Sequence, residues 1–208
     1  MLLESDMRFV IARSFAISAV MLLAGCDSGT KPAGQAQPTA PSTPQKSKQT
    51  EIGLESASGL RATLTYKFAG AQAPKAVFTG ADGRDVSLTD FAGRPLLVNI
   101  WATWCAPCKA EMPTLDSLAV LEEGRVSVIA VSQDLEGRKP VRSFFDQAAI
   151  INLEPYTDPD NSLLAAFGNN IALPTTILYD SAGREVWRVI GGVEWDDAEI
   201  AKLLTEAA

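Results

Sequence analysis

The stretch Leu96-Leu97-Val98-Asn99-Ile100-Trp101-Ala102-Thr103-Trp104-Cys105-Ala106-Pro107-Cys108-Lys109 decides how the rest of the chain is read. An apolar run of strand length leads into two cysteines separated by two residues, and Pro107 to Leu121 reads as a helix. A strand that delivers Cys105 to a helix start sets its sulfur among unpaired backbone N–H groups at the positive end of the helix dipole. Both favour the thiolate, which makes Cys105 a candidate nucleophile. Cys108, three residues on, lies one turn later on the same face and can close a disulfide onto Cys105. The pair reads as a dithiol redox centre, and no separate cofactor is implied.

Other uses of two cysteines fit less well. A zinc half-site needs two further soft or imidazole ligands, yet the 208-residue chain has no histidine and its third cysteine, Cys26, is far away. A structural staple closing so short a loop would constrain little of the unfolded chain. Copper(I) delivery without redox turnover is chemically open to thiolates, and peroxide reduction by a thiol is a further alternative.

Residues 1–26 have the organisation of a targeting segment: Arg8 and Arg13, then a mostly apolar run from Phe15 to Leu23, too short to span a membrane comfortably. Glu4 and Asp6 are out of place in a basic leader, which points to Met7 as the start. The ending Leu23-Ala24-Gly25-Cys26 resembles the bacterial lipoprotein signal, and that resemblance implies cleavage before Cys26 and a lipid on its sulfur. Asp27 then suggests the inner membrane, by a rule known from some enteric bacteria. The odd cysteine is accounted for, and Cys105 and Cys108 remain a self-contained pair.

From Asp27 to about Gly70 the chain turns to Ser, Thr, Pro, Ala, Gln and Lys, with prolines at 32, 38, 41 and 44 that exclude regular structure. As a flexible tether it would span roughly 35–40 Å. The alternation Leu60, Ala62, Leu64, Tyr66, Phe68 allows a strand over 60–69 laid on the domain edge. The remainder, 71–208, carries 11 basic against 20 acidic residues. That balance argues against nucleic acid and against adsorption to anionic lipid without an anchor.

Residues 71–208 suffice for one core. Strands are expected at Val86–Leu88, Leu96–Trp101, Val126–Val131, Leu153–Thr157, Thr175–Tyr179 and Glu185–Ile190. Helices are expected at Pro107–Leu121, Val141–Ala149, Asn161–Phe167 and Asp196–Glu206. The alternation gives an α/β three-layer domain with a mainly parallel sheet and a C-terminal hairpin at one edge.

This order, with Leu173-Pro174-Thr175-Thr176 leading into a strand and hairpin, resembles the thioredoxin fold. The run Gly93 to Cys105 followed by Glu111-Met112-Pro113 is similar, more narrowly, to the TlpA, ResA and CcmG branch of membrane-tethered periplasmic thioredoxins. The resemblance implies Cys105 as attacking and Cys108 as resolving cysteine, with Pro174 in a cis peptide opposite them. The Leu173 backbone would pair with an extended client segment there. Asn99 stands where thioredoxins proper carry a buried aspartate, and a neutral amide cannot take up the resolving thiol's proton. Glu111 is then the candidate proton relay, against the alternative of a solvated glutamate suited to the helix dipole. Trp104 is expected to cover the disulfide and help dock clients, Trp101, Trp187 and Trp195 to pack, and Pro113 to kink the helix.

Ala106-Pro107 lacks the histidine of strongly oxidising relatives, so a reducing couple is expected, a protein-disulfide reductase on the periplasmic side of the membrane. The resemblance further implies a membrane-embedded thiol transporter as electron donor. The clients it implies are disulfide-containing exported proteins: apocytochrome c, or assembly proteins of oxidase copper sites.

Overall fold

The computed structural model describes residues 51–168 and 171–207. The leader, Cys26 and the tether up to Thr50 lie outside the described residues. Alternation along Leu96–Trp101, the strand β5, divides the interior in two. Leu97 and Trp101 belong to one apolar cluster and Leu96, Val98 and Ile100 to another, so a strand buried on both faces separates two cores.

In chain order the remaining strands are β1 (Glu51–Glu55), β2 (Arg61–Thr65), β3 (Val77–Thr79), β4 (Asp85–Ser87), β6 (Ser127–Ser132), β7 (Pro155–Thr157), β8 (Thr175–Tyr179) and β9 (Glu185–Gly191). The helices are α1 (Ala106–Leu121), α2 (Arg138–Ala148), α3 (Ser162–Phe167) and α4 (Ala198–Leu203), the last continued by a 3-10 turn over Leu204–Ala207. One core packs Met112, Leu115 and Leu118 of α1, Val141 and Phe145 of α2 and Ile200 of α4 against Leu97, Ala130, Leu178 and Trp187. Trp101 stacks on Phe145 with ring planes 11° apart. The other core sets Leu163 of α3, Phe78 and Leu88 against Ile100, Val131 and Ile177. Each such fully buried side chain contributes roughly 1.5–3 kcal/mol.

The nine strands form one mixed sheet in the order β1-β2-β9-β8-β5-β6-β7-β3-β4. It is not mainly parallel: only β5–β6 and β6–β7 are parallel neighbours, and the other pairings are antiparallel. Short turns within β1–β2, β3–β4 and β8–β9 dictate that direction, because parallel neighbours need a long crossover. Nor does the C-terminal hairpin end the sheet. β2 pairs along β9, from Ala62↔Gly191 to Thr65↔Arg188.

That pairing corrects the expected extent of the tether, since residues 51–65 are a hairpin and not coil. Ala62 and Leu64 turn into the core, and β2 covers what would be the bare edge of β9. Gly191 makes the approach possible: its φ is +105°, and a Cβ there would collide with the Arg61 carbonyl. The helix α1 also runs on through Pro113 as a single element.

Candidate active site

β5 ends at Trp101, and four residues later Cys105 occupies the N-cap of α1 with Pro107 in the first turn, where a missing N–H costs nothing. The Cys105 Sγ accepts a hydrogen bond from the Cys108 N–H at 3.3 Å. On reduction that same N–H and the helix dipole would hold a Cys105 thiolate. The two sulfurs are joined, S–S 2.08 Å, with Cα atoms 5.3 Å apart. Cys108 is fully buried, whereas Cys105 keeps 6% of its surface, so an incoming sulfur meets Cys105 first.

Glu111 follows Cys108 by one helical turn and is completely buried. It is not the solvated glutamate of the alternative reading. Its Oε1 accepts from Asn99 Nδ2 at 2.7 Å, and its Oε2 accepts from the Val193 N–H at 3.1 Å and Trp195 Nε1 at 3.3 Å. Burial pushes the carboxyl up to about 8 in spite of these three donors, each of which pulls it down. A group titrating there can hold a proton at neutral pH and release it slightly above.

Asn99 is brought to the same place from β5, opposite Thr176 of β8, and donates to the Thr176 Oγ1 at 2.8 Å. Among the described residues its own Oδ1 has no hydrogen-bond partner. An amide here suits either state of Glu111: its NH2 faces the carboxylate, and after a half-turn its oxygen would face the carboxylic acid.

On the other side of the nucleophile a second buried carboxylate holds the loop. Asp134 accepts from the Thr103 N–H at 2.9 Å, the Thr103 Oγ1 at 2.6 Å and the Ser132 Oγ at 2.6 Å. Sequence reasoning missed Asp134, Thr103 and Ser132 altogether. It also assigned Trp195 to packing alone, although the indole N–H is one of the donors to Glu111. Trp187, by contrast, is a packing residue whose Nε1 donates to the Leu203 carbonyl.

Trp104, directly before Cys105, is 68% exposed, so most of its surface faces solvent. The Leu173–Pro174 bond is cis, and among the described residues no backbone hydrogen bond engages Leu173. The next residue closes the ladder, since the Gly191 N–H donates to the Pro174 carbonyl at 2.9 Å. Gly192 then lies against Pro107, where a Cβ would sit 3.3 Å from the Pro107 carbonyl oxygen. The β9 end, Pro174 and the cysteine turn are thereby packed into one corner. No helix of the described residues is long and apolar enough to cross a membrane.

A family model described as Redoxin matches residues 68–204, which takes in the cysteine turn, Asp134, Pro174 and Trp195. The chain belongs to the Redoxin family. This redoxin is 32% identical over 123 residues to the thiol-disulfide oxidoreductase ResA of Bacillus thuringiensis, covering 59% of the chain and 69% of that relative. In structure it is similar to the thioredoxin domain of a thiol-disulfide oxidoreductase of Bacteroides vulgatus, with TM-score 0.54 and 22% identity over 67% of the chain and 98% of that structure. It is also similar to the exposed lipoprotein thioredoxin of Streptococcus pneumoniae, with TM-score 0.52 and 27% identity over 62% of the chain and 97% of that structure. The fold is thioredoxin-like, and the redoxin is a thiol-disulfide oxidoreductase of the ResA kind.

Proposed function

We propose that the chain is a membrane-tethered reductase that opens disulfides of exported proteins, with Cys105 attacking and Cys108 resolving. The observation that carries this reading is the unequal burial of the two sulfurs at one helix N-terminus, with the Glu111 carboxyl buried one turn behind. The Cys105 thiolate attacks one client sulfur and the other leaves as thiolate, giving a mixed disulfide. Cys108 then loses its proton to ionised Glu111 and attacks the Cys105 sulfur. The second client thiolate departs, and the chain is left oxidised. Two electrons have passed to the client, and a thiol donor must return them.

Ala106-Pro107 supports the direction, since no imidazole stabilises the thiolate there and a less stabilised thiolate makes a stronger reductant. A lipid anchor at Cys26 rests on the Leu-Ala-Gly-Cys pattern, in keeping with the lipoprotein character that the pneumococcal relative's description states for that protein. On this reading the domain works on the periplasmic side of the membrane, fed by a membrane thiol transporter. Its clients carry paired cysteines, as apocytochrome c or copper-site assembly proteins do. Trp104, Leu173 and Pro174 form the docking edge, with the free Leu173 backbone pairing to an extended client strand.

Trapping tests the proposal. Cys108→Ser expressed in full length should accumulate mixed disulfides at Cys105 that reducing agent releases, and mass spectrometry would identify their clients. An empty trap, with Cys105 found free, would defeat the exchange mechanism. Copper(I) titration and peroxide consumption by the wild type address the two alternatives.

A further inference from the structure

At the docking edge the backbone polar groups divide into a fixed pair and a free pair. The Pro174 carbonyl accepts from the Gly191 N–H at 2.9 Å, and the Ala172 carbonyl accepts from the Thr175 hydroxyl at 2.5 Å. Between these two anchors stand the N–H and C=O of Leu173, which have no hydrogen-bond partner among the described residues. Pro174 adds no N–H of its own. Thr175 is well placed to act as an anchor. It is fully buried, opens β8, and pairs with Ile100 of β5 on one side and Ile190 of β9 on the other. The next residue, Thr176, serves the other face of the sheet, where it accepts from Asn99, as alternation along a strand requires.

We infer that Thr175 is a positioning residue for client docking, whose hydroxyl aims the Leu173 N–H at the client backbone. The inference rests on the reductase reading. Among the described residues only the Leu173–Pro174 bond is cis, so Ala172–Leu173 is a trans, planar peptide. In such a plane the C=O of one residue and the N–H of the next point in opposite directions. The Thr175 hydroxyl holds the Ala172 oxygen, and the Leu173 N–H at the other side of the plane is thereby turned away from Thr175. A bond to one end of the plane fixes the donor at the other end before a client arrives. That removes an ordering cost from association, since an extended client needs its carbonyl to meet a donor already in place. Without the hydroxyl the Ala172 oxygen can take water instead, and the plane is free to turn.

The test compares the reduced full-length chain with its Thr175→Val and Thr175→Ser variants on two substrates. One is a peptide disulfide flanked by extended chain, which offers a backbone to Leu173; the other is hydroxyethyl disulfide, which has none. Second-order rates are read by stopped-flow Trp fluorescence, and the reduction potential is read by equilibration with glutathione. The ratio of the peptide rate to the hydroxyethyl disulfide rate should fall about fivefold in Thr175→Val, which keeps the branched shape and loses the donor. Thr175→Ser, which keeps the hydroxyl, should restore the ratio to within about twofold of the wild type, and the potential should be the same in all three proteins. An unaltered ratio in Thr175→Val, or a lowered ratio that serine does not restore, would overturn the positioning role. So would equal losses on both substrates with a shifted potential, which would mean a general disturbance of the site. Failure of the wild type to reduce either substrate would instead overturn the reductase reading and the positioning role with it.

Discussion

The two sides of the Cys105–Cys108 bond are built in opposite ways. Behind it, Asn99, Glu111 and Thr176 are polar and fully buried; in front, Trp104, the residue before Cys105, is apolar and largely exposed. Folding alone favours neither arrangement, since burying a carboxyl and exposing an indole both cost free energy. Departures in both directions around one bond mark where stability has been given up for chemistry. The largest effect comes from removing the sulfur that both sides serve. Cys105→Ser should lower protein-disulfide reduction by about a thousandfold or more, read by insulin-disulfide reduction. Comparable turnover in the variant would move the chemistry away from this bond.

The front depends on a buried clamp, and breaking it is the next largest perturbation. Asp134→Ala leaves the Thr103 N–H and the hydroxyls of Thr103 and Ser132 without their acceptor. Urea unfolding should show a loss of about 2–3 kcal/mol. Asp134→Asn should recover most of it. Its oxygen can keep the Thr103 N–H and Ser132 contacts, while its NH2 donates to a Thr103 hydroxyl that rotates to accept. Equal losses in the two variants would show that charge, not the set of hydrogen bonds, holds the loop.

How legible these two sides are in the sequence depends on the range of the interactions. Cys105 at the cap of α1 and Cys108 and Glu111 within it are close in sequence, so their spacing alone predicts a common face, and β5 and β8 are short runs rich in apolar and β-branched residues with clear limits. Asp134 meets Thr103 across 31 residues and Trp195 meets Glu111 across 84. No spacing rule connects such pairs, and Asp134 in a polar loop looks like any solvated turn. The hairpin β1–β2 is only half legible: alternation over 60–69 allows its second strand, while the first is hidden for a related reason. Its Ser56-Ala57-Ser58-Gly59 turn and mostly exposed first strand have the composition of the linker before them, and β2 owes its place to pairing with β9. Strand direction is equally illegible, because local periodicity carries no information on which neighbour a strand finds.

The back is the more sensitive to pH. Glu111→Gln removes a carboxyl that titrates near 8, so its effect on exchange should appear where the wild type is ionised. About a tenfold slower rate at pH 9, and a difference within about twofold at pH 6, are the expected outcomes of stopped-flow reduction. Parallel pH profiles would reject the relay. Stability gives an independent reading of the same group. The folded value, about 8, lies above the ordinary 4.5, so between those pH values the native state holds a proton that the unfolded chain does not. Its contribution is therefore fully present below about pH 4.5 and is lost as pH rises through 8. The stability of the wild type relative to Glu111→Gln should fall over that window and level off above it.

The smallest change asks which feature of the back sets that value. Trp195 Nε1 donates to Oε2 over 3.3 Å, longer than the contacts from Val193 at 3.1 Å and Asn99 at 2.7 Å. Trp195→Phe deletes this donor while leaving the other two. If the indole acts as a donor, the carboxylate loses one of the interactions that oppose its desolvation, and the midpoint of the pH–rate profile should rise by less than about one unit. If the indole acts instead by filling space, the smaller ring admits water to the carboxyl and the midpoint should fall. The sign of the shift thus separates hydrogen bonding from exclusion of water, and with it the two ways in which a buried group behind the disulfide can be kept ready to take a proton.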